Sequence, residues 1–170
     1  MTGKPRQPTE LSPPAHDEAA DAQMAMLYGL PGHLIRRAQQ VAVAIFLEEV
    51  GKLDVTPVQF GAMTAIAAHP GIDATHVSAL IAFDRSTMGD VLDRLESKGW
   101  IERRPSPQDK RVKSLWLTEA GRELYERCRP AVLHTQERLL APLQPSERER
   151  FVAVMRQLVG LHTGGDRYKG

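Results

Sequence analysis

The sequence predicts a mainly α fold in which a helix-turn-helix leads into a two-stranded hairpin, with long helices before and after. Three observations carry that class. Met88, Val91, Leu92 and Leu95 recur at i, i+3, i+4 and i+7 between a good N-cap, Asp84, and a good C-terminal stop, Gly99, so residues 84–98 read as an amphipathic helix. Two β-like runs follow, 100–104 and 113–117, and the polar loop 105–112 makes them a hairpin with a long basic tip. Ahead of the helix lie two shorter helical patterns separated by few residues, a helix-turn-helix signal. A helix with Arg85, Ser86, Thr87, Gly89, Asp90 and Arg94 on its outward face suits a major groove, and a basic tip suits a neighbouring backbone or minor groove.

Taken in order, residues 1 to about 23 are rich in Pro, Thr, Ser, Ala and acids and have few large apolar side chains. A flexible tail is expected there, extending to residue 28 with ordering near Met24 to Tyr28, either solvated or serving as a partner-binding arm. Pro31 suits the first turn of a helix that runs to about Val50. Leu34, Ala38, Val41, Ala42, Ile45 and Phe46 form a broad apolar band on it, with Ile35, Val43 and Leu47 outside its centre. So apolar a helix is buried on more than one side, and the second surface is expected to be another subunit. Thr56-Pro57-Val58-Gln59 is a capping box with Pro at its first helical position, opening a helix to about Ala68 with Phe60, Met63 and Ile66 or Ala67 inward. Pro70-Gly71 ends it. Asp73 then caps a short helix with Val77, Leu80 and Ile81 on the core side, and Ala82-Phe83 turn into the Asp84 helix. Thr118 caps the next helix, with Glu119 favourable in its first turn, Leu124, Ala131 and Leu139 inward and Pro130 as a kink. Pro145 opens the last helix, where Phe151, Val154, Met155, Leu158 and Leu161 repeat at helical spacing; the Gly-rich tail 163–170 is expected to fray.

Composition narrows the function classes. At 170 residues, 25% charged and 42% hydrophobic, the chain is expected to be one soluble domain with a real core. Its net charge is only +1, so a nucleic-acid binder would need clustered positive charge, and Arg103, Arg104, Lys110, Arg111 and Lys113 fall in one hairpin. One cysteine, Cys128, excludes an internal disulfide and a cysteine-rich zinc site. No apolar run approaches the ~20 residues of a membrane span, and no apolar signal region opens the chain, so a cytoplasmic location is expected. His16, His33, His69, His76, His134 and His162 form no paired-ligand motif, and nucleophile-elbow, Walker and dinucleotide fingerprints are absent. No enzyme, metal or cofactor is expected.

The run Asp109-Lys110-Arg111-Val112-Lys113-Ser114-Leu115-Trp116-Leu117-Thr118-Glu119-Ala120-Gly121 resembles the wing signature of the MarR (multiple antibiotic resistance regulator) family. Residues 91–103 resemble that family's recognition-helix end and first wing strand, and the likeness covers roughly 30–161 in element order. It implies a winged helix-turn-helix transcriptional repressor or activator, a homodimer on double-stranded DNA, often released by a small ligand. The DNA-binding lobe then spans about 54–118, with dimerisation helices at about 31–50 and 118–161. The operator is expected to be near-palindromic, with half-site centres ~10 base pairs apart.

Candidate residues follow. Contact with DNA is expected from Arg85, Ser86, Thr87, Gly89, Asp90, Arg94, Arg104, Lys110, Arg111 and Lys113. Helix N-termini receive phosphate through free amides, while the alternative for Ser86 and Thr87 is that they are simply good first-turn residues. Lys110 and Lys113 could also act only through the long-range field. The resemblance implies that Asp109 and Arg111 brace the wing. The dimer interface is expected at Ile45, Phe46, Val154, Leu158 and Leu161. His33, Arg36 and Arg37 share a helical face that serves either as the anion end of a ligand site, over an apolar floor of Phe60 and Met63, or as a solvated or salt-bridged face. The openings Leu30-Pro31-Gly32-His33 and Phe83-Asp84-Arg85 resemble a branch of the family controlling aromatic-acid breakdown, so the expected effector is a small aromatic acid or its thioester. Reactive cysteines of some relatives lie near the start of the first helix; Cys128 does not match and reads as a buried structural residue. The other classes left open are a winged-helix module that binds protein and a repressor with no effector.

Overall fold

The computed structural model describes residues 18–106 and 111–163. Its elements, in order, are α1 (Glu18–Gly29), α2 (Pro31–Val50), α3 (Pro57–Ala68), α4 (Ala74–Leu80), α5 (Arg85–Ser97), β1 (Ile101–Pro105), β2 (Lys113–Leu117), α6 (Glu119–Leu140) and α7 (Pro145–Thr163). A 3-10 turn, Gly51–Leu53, follows α2. The chain divides into two compact units, Met1–Gln39 and Gln40–Gly170, the division falling inside α2.

The first unit corrects one expectation. Residues 18–28, expected to belong to a tail that orders only near 24–28, lie in α1. The segment EAADAQMAMLYG is built largely from Ala, Met, Leu, Glu and Gln, the strongest helix formers. Averaging it with the Pro-rich residues before it conceals that change of composition.

In the second unit, α3, α4 and α5 enclose a core closed by the hairpin and by α6. Ala62, Met63 and Ile66 of α3, Val77 of α4, Met88, Leu92 and Leu95 of α5, Ile101 of β1, Leu115 of β2, and Leu124 and Cys128 of α6 are buried together. The α3 capping box forms as the sequence requires: the Gln59 amide donates to Thr56 Oγ1 at 3.3 Å and the Thr56 amide to Gln59 Oε1 at 3.0 Å. Phe46, expected at a dimer interface, turns instead into this core, where it is 5% exposed and tilts against Phe60 at 6.5 Å. Its place at the end of α2 sets it against α3, which gives it an intrachain partner. Leu80, expected inward, is exposed, because α4 ends there and the chain turns away.

The hairpin is antiparallel, with Ile101 opposite Leu117, Arg103 opposite Leu115 and Pro105 opposite Lys113. A bridge between Ile72 and Leu115 adds a third short edge: the Gly71 amide donates to the Leu115 carbonyl at 2.9 Å and the Leu115 amide to the Ile72 carbonyl at 2.8 Å. Gly71 has φ +88°, and a Cβ there would stand 3.1 Å from the Trp116 ring, so two requirements select glycine.

The strand-to-helix junction explains the Thr118-Glu119-Ala120-Gly121 motif. Thr118 Oγ1 donates to the Gly99 carbonyl at 2.7 Å and accepts from the Gly121 amide at 3.0 Å, so one hydroxyl caps α6 and ties it to the end of α5. A Cβ on Gly121 would lie 1.8 Å from the Trp100 carbonyl oxygen; only glycine lets α6 start this close to β1.

Among the described residues, no helix is long and apolar enough to cross a membrane, and no cluster of metal-ligating side chains occurs.

Candidate nucleic-acid interface

The helix-turn-helix consists of α4, the turn through Phe83, and α5. Asp73 caps α4, accepting from the Thr75 and His76 amides at 2.8 and 3.0 Å. In the turn Ala82 takes φ +51°, a left-handed conformation that costs an L-residue ~1–2 kcal/mol, and Phe83 ties back through its amide to the Ser78 carbonyl at 3.0 Å. Met88, Val91, Leu92 and Leu95 then bury one side of α5. Arg85, Ser86, Thr87, Gly89, Asp90 and Arg94 are all left exposed, as their spacing requires.

The first turn of α5 differs from expectation. Asp84 Oδ1 accepts from the Ser86 amide at 2.8 Å and the Thr87 amide at 3.2 Å, and both hydroxyls also donate to it. The Ser86 hydroxyl, followed by the Thr87 and Ser86 amides, holds the Asp84 carboxyl below its ordinary pKa. Those two amides, expected to be open to phosphate, are already satisfied by a carboxylate of the chain. Ser86 and Thr87 are therefore good first-turn residues as well as exposed ones, and Arg85 is the first-turn cation left facing solvent.

The hairpin's charges fall into two groups. Arg104 is exposed, pairs with Glu102 and lies over the Trp116 ring at 5.0 Å, a cation–π contact that fixes a long side chain along the strand. Arg111 and Lys113 are also exposed. Arg103, counted by its sequence among the basic cluster, is not available to a ligand: its guanidinium reaches Asp93 Oδ1 and Glu96 Oε2 of α5, each at 2.7 Å. It braces the hairpin to the helix. The pair Asp93 and Glu96, one turn apart, followed by a reversal at Gly99, was the signal for it. Asp109 and Lys110 lie outside the described residues. Lys98 closes the other end of α5, contacting Asp54 Oδ2 at 2.7 Å and the Trp100 ring at 4.4 Å.

The expected ligand residues separate. His33, Arg36 and Arg37 line an open cleft in the first unit with Leu34 and Tyr28, whose ring tilts against His33 at 5.6 Å. Tyr28 was not anticipated, because the helix carrying it was not. Phe60 and Met63 belong to the second unit, and there the expectation of an apolar floor fails for Met63, which is fully buried in the core. Phe60 stacks on Tyr125 at 5.4 Å. Cys128 is buried, and burial raises its thiol pKa, the opposite of what a reactive cysteine needs.

Of the expected interface residues, Ile45 is half-buried, Val154 is 53% exposed and Leu158 37%, while the side chain of Leu161 lies outside the described residues. Val41 and Leu47 of α2 and Phe151 and Val159 of α7 are exposed as well.

Comparison with known proteins agrees with this geometry. A model of the MarR family matches residues 53–112, the span from the turn before α3 to the hairpin. A putative transcriptional regulatory protein for the hcr operon of Thauera aromatica is 30% identical over 146 residues, 85% of this chain and 88% of that protein. A solved structure of the transcriptional repressor CouR bound to a 23-mer DNA duplex superposes with a TM-score of 0.74 at 29% identity, covering 80% of this chain and 96% of the repressor. BpsR of Bordetella bronchiseptica, whose DNA binding is regulated by 6-hydroxynicotinic acid, gives 0.73 at 29% identity, covering 77% and 94%.

Proposed function

Because this chain belongs to the MarR family and is a DNA-binding regulator of transcription, we propose that it works as a homodimeric repressor on a near-palindromic operator, released by a small aromatic acid or its thioester. The observation that carries the DNA reading is the pairing of α5, exposed along Arg85, Gly89, Asp90 and Arg94, with the exposed wing cations Arg104, Arg111 and Lys113. Each protomer sets α5 in a major groove, and the wing cations meet the flanking phosphates. A protein-binding module would have no need of both sets at once. The likeness to a DNA-bound repressor supports the same reading. The exposed apolar residues of α2 and α7 support a second copy as the partner. The test is fluorescence anisotropy against salt: affinity for any duplex should fall steeply as salt rises, since each phosphate contact releases counterion. Affinity that ignores salt would refute it.

The effector reading rests on the cleft of the first unit. His33, Arg36 and Arg37 offer cationic donors, and the ring of Tyr28 and the side chain of Leu34 offer apolar walls. That combination suits a flat acid, since Arg can take a carboxylate in a two-pronged hydrogen bond. A relative regulated by 6-hydroxynicotinic acid supports the class. The ligand need only bind the DNA-incompetent state better, by ~1.4 kcal/mol for each tenfold loss of operator affinity. Calorimetry with 6-hydroxynicotinate and benzoate-like acids on wild type and on Arg36→Ala tests it. Equal binding to both proteins, with no change in DNA affinity, would remove the cleft from consideration.

A further inference from the structure

Gly89 stands in the interior of α5, where glycine is among the least favourable residues for a helix. Among the described residues nothing asks for it there. Its backbone is not left-handed, and a Cβ built on it meets nothing within 4 Å. The glycines at 71 and 121, by contrast, are each required by an atom of this chain.

Asp90, the next residue, is exposed. Arg94 lies four residues on, well placed for a helical ion pair, yet the two make none. Asp93 on the same helix is consumed by Arg103 at 2.7 Å. The buried stripe of Met88, Val91, Leu92 and Leu95 marks the inward direction. With successive residues ~100° apart, Ser86 and Ser97 then point most directly outward, Asp90 and Asp93 lie about equally to either side of them, Gly89 lies beyond Asp93, and Arg85 and Arg94 fall on opposite flanks. Of the two carboxylates near the centre of the exposed surface, Asp93 is taken by Arg103 and Asp90 is uncommitted, while the missing side chain of Gly89 and the cations lie towards its edges.

A carboxylate in that place is repelled by every phosphate, so it lowers affinity for DNA in general. It is compensated only where a base edge presents a hydrogen-bond donor, and in the major groove the cytosine N4 amino group is such a donor for Asp. We infer that Gly89 and Asp90 form a reading point for cytosine: Asp90 accepts from the N4 amino group, and the bare backbone at Gly89 lets the helix sit close enough to the base edges for that contact. This rests on α5 being the helix that enters the groove. The flanking Arg85 and Arg94 then address the two backbones, or bases nearer the groove walls.

The experiment begins with a duplex enriched by the wild-type protein from a random-sequence pool. Wild type, Asp90→Asn and Gly89→Ala are titrated on that duplex, on its single-base variants and on an unrelated duplex of equal length. Asp90→Asn should bind the unrelated duplex several-fold more tightly and lose a preference for cytosine of about tenfold at one position in each half-site, the size expected of one good base contact. Gly89→Ala should raise the thermal midpoint while weakening binding to the enriched duplex at least tenfold. Retention of every base preference by Asp90→Asn would overturn the inference, as would a preference lost at adenine instead of cytosine. So would a fall in its thermal midpoint with DNA binding unchanged, which marks a purely helical role, or full operator affinity in Gly89→Ala. A wild type that enriches no duplex would overturn the DNA reading and this contact with it; enrichment with unchanged variants would overturn only the contact.

Discussion

The helices α5 and α7 look alike in sequence and differ in the folded chain. Each carries apolar residues at helical spacing: Met88, Val91, Leu92 and Leu95 in one, Phe151, Val154, Met155 and Leu158 in the other. The α5 stripe disappears into the core, and the α7 stripe does not, with Phe151, Val154 and Leu158 all exposed. Apolar periodicity states that a face will be covered; it does not state by what. For α5 the cover is α3, α4 and the hairpin of the same chain. For α7 the proposed cover is a second protomer, and for the exposed Val41 and Leu47 of α2 the proposal is the same.

Two substitutions break that comparison from opposite sides. Leu158→Asp would bury an unpaired carboxylate between protomers and should cost the dimer several kcal/mol. Sedimentation should find monomer at concentrations where wild type is dimeric, and operator affinity should fall with it; a fully dimeric variant would place α7 outside the interface. Gly121→Ala acts inside one protomer. Its Cβ would meet the Trp100 carbonyl oxygen at 1.8 Å, so α6 must shift, at a cost of ~1–3 kcal/mol or more. Its loss of thermal stability should not depend on protein concentration, which separates it from the interface variant.

The same contrast explains what could be read from the sequence. The capping box at Thr56, the N-caps at Asp73, Asp84 and Thr118, the stripe of α5 and the two strands of the hairpin are local, and each formed where its residues required. Contacts made across distance in sequence were hidden. The Ile72–Leu115 bridge and the stack of Phe60 on Tyr125 have no local signature. Phe46 sits in a band that continues into exposed residues, so its turn into the core shows only once α3 lies beneath it. Of the site, the exposed set Arg85 to Arg94 was legible because one helix carries it. The brace by Arg103 was legible only through its partners Asp93 and Glu96, because a basic residue in a basic hairpin looks the same whether it faces phosphates or carboxylates.

Arg103→Met sharpens this last distinction. The methionine keeps much of the stem and removes the ion pairs to Asp93 and Glu96, which are partly exposed and worth about 1 kcal/mol together. Operator affinity should fall modestly as the wing loosens, while the slope of affinity against salt stays as in wild type. Lys113→Ala, on the wing's exposed side, should instead lower that slope by ~0.9. If Arg103→Met lowers the slope too, Arg103 contacts phosphate in the complex and its brace is secondary.

The smallest effect expected lies between α2 and α6, away from DNA. Glu49 accepts from Arg138 at 2.6 Å and pairs with His134 at 3.0 Å, while Arg138 also reaches Glu48 at 2.8 Å. The hydrogen bond to His134, then that to Arg138, lowers the Glu49 carboxyl below its ordinary pKa of 4.5. A carboxyl depressed by folding contributes stability that is fully present above its unfolded pKa and is lost as pH falls through the folded value. The contribution should therefore be intact at neutral pH and disappear on acidification below about pH 4.5. Glu49→Gln removes the titrating group. Thermal midpoints of wild type and Glu49→Gln should differ at pH 7 and converge as the wild-type carboxyl protonates. Parallel curves for wild type and Glu49→Gln down to low pH would mean that solvent screens the cluster completely, as exposed ion pairs often are, and that α2 and α6 are held by the Phe46, Val50 and Cys128 core alone.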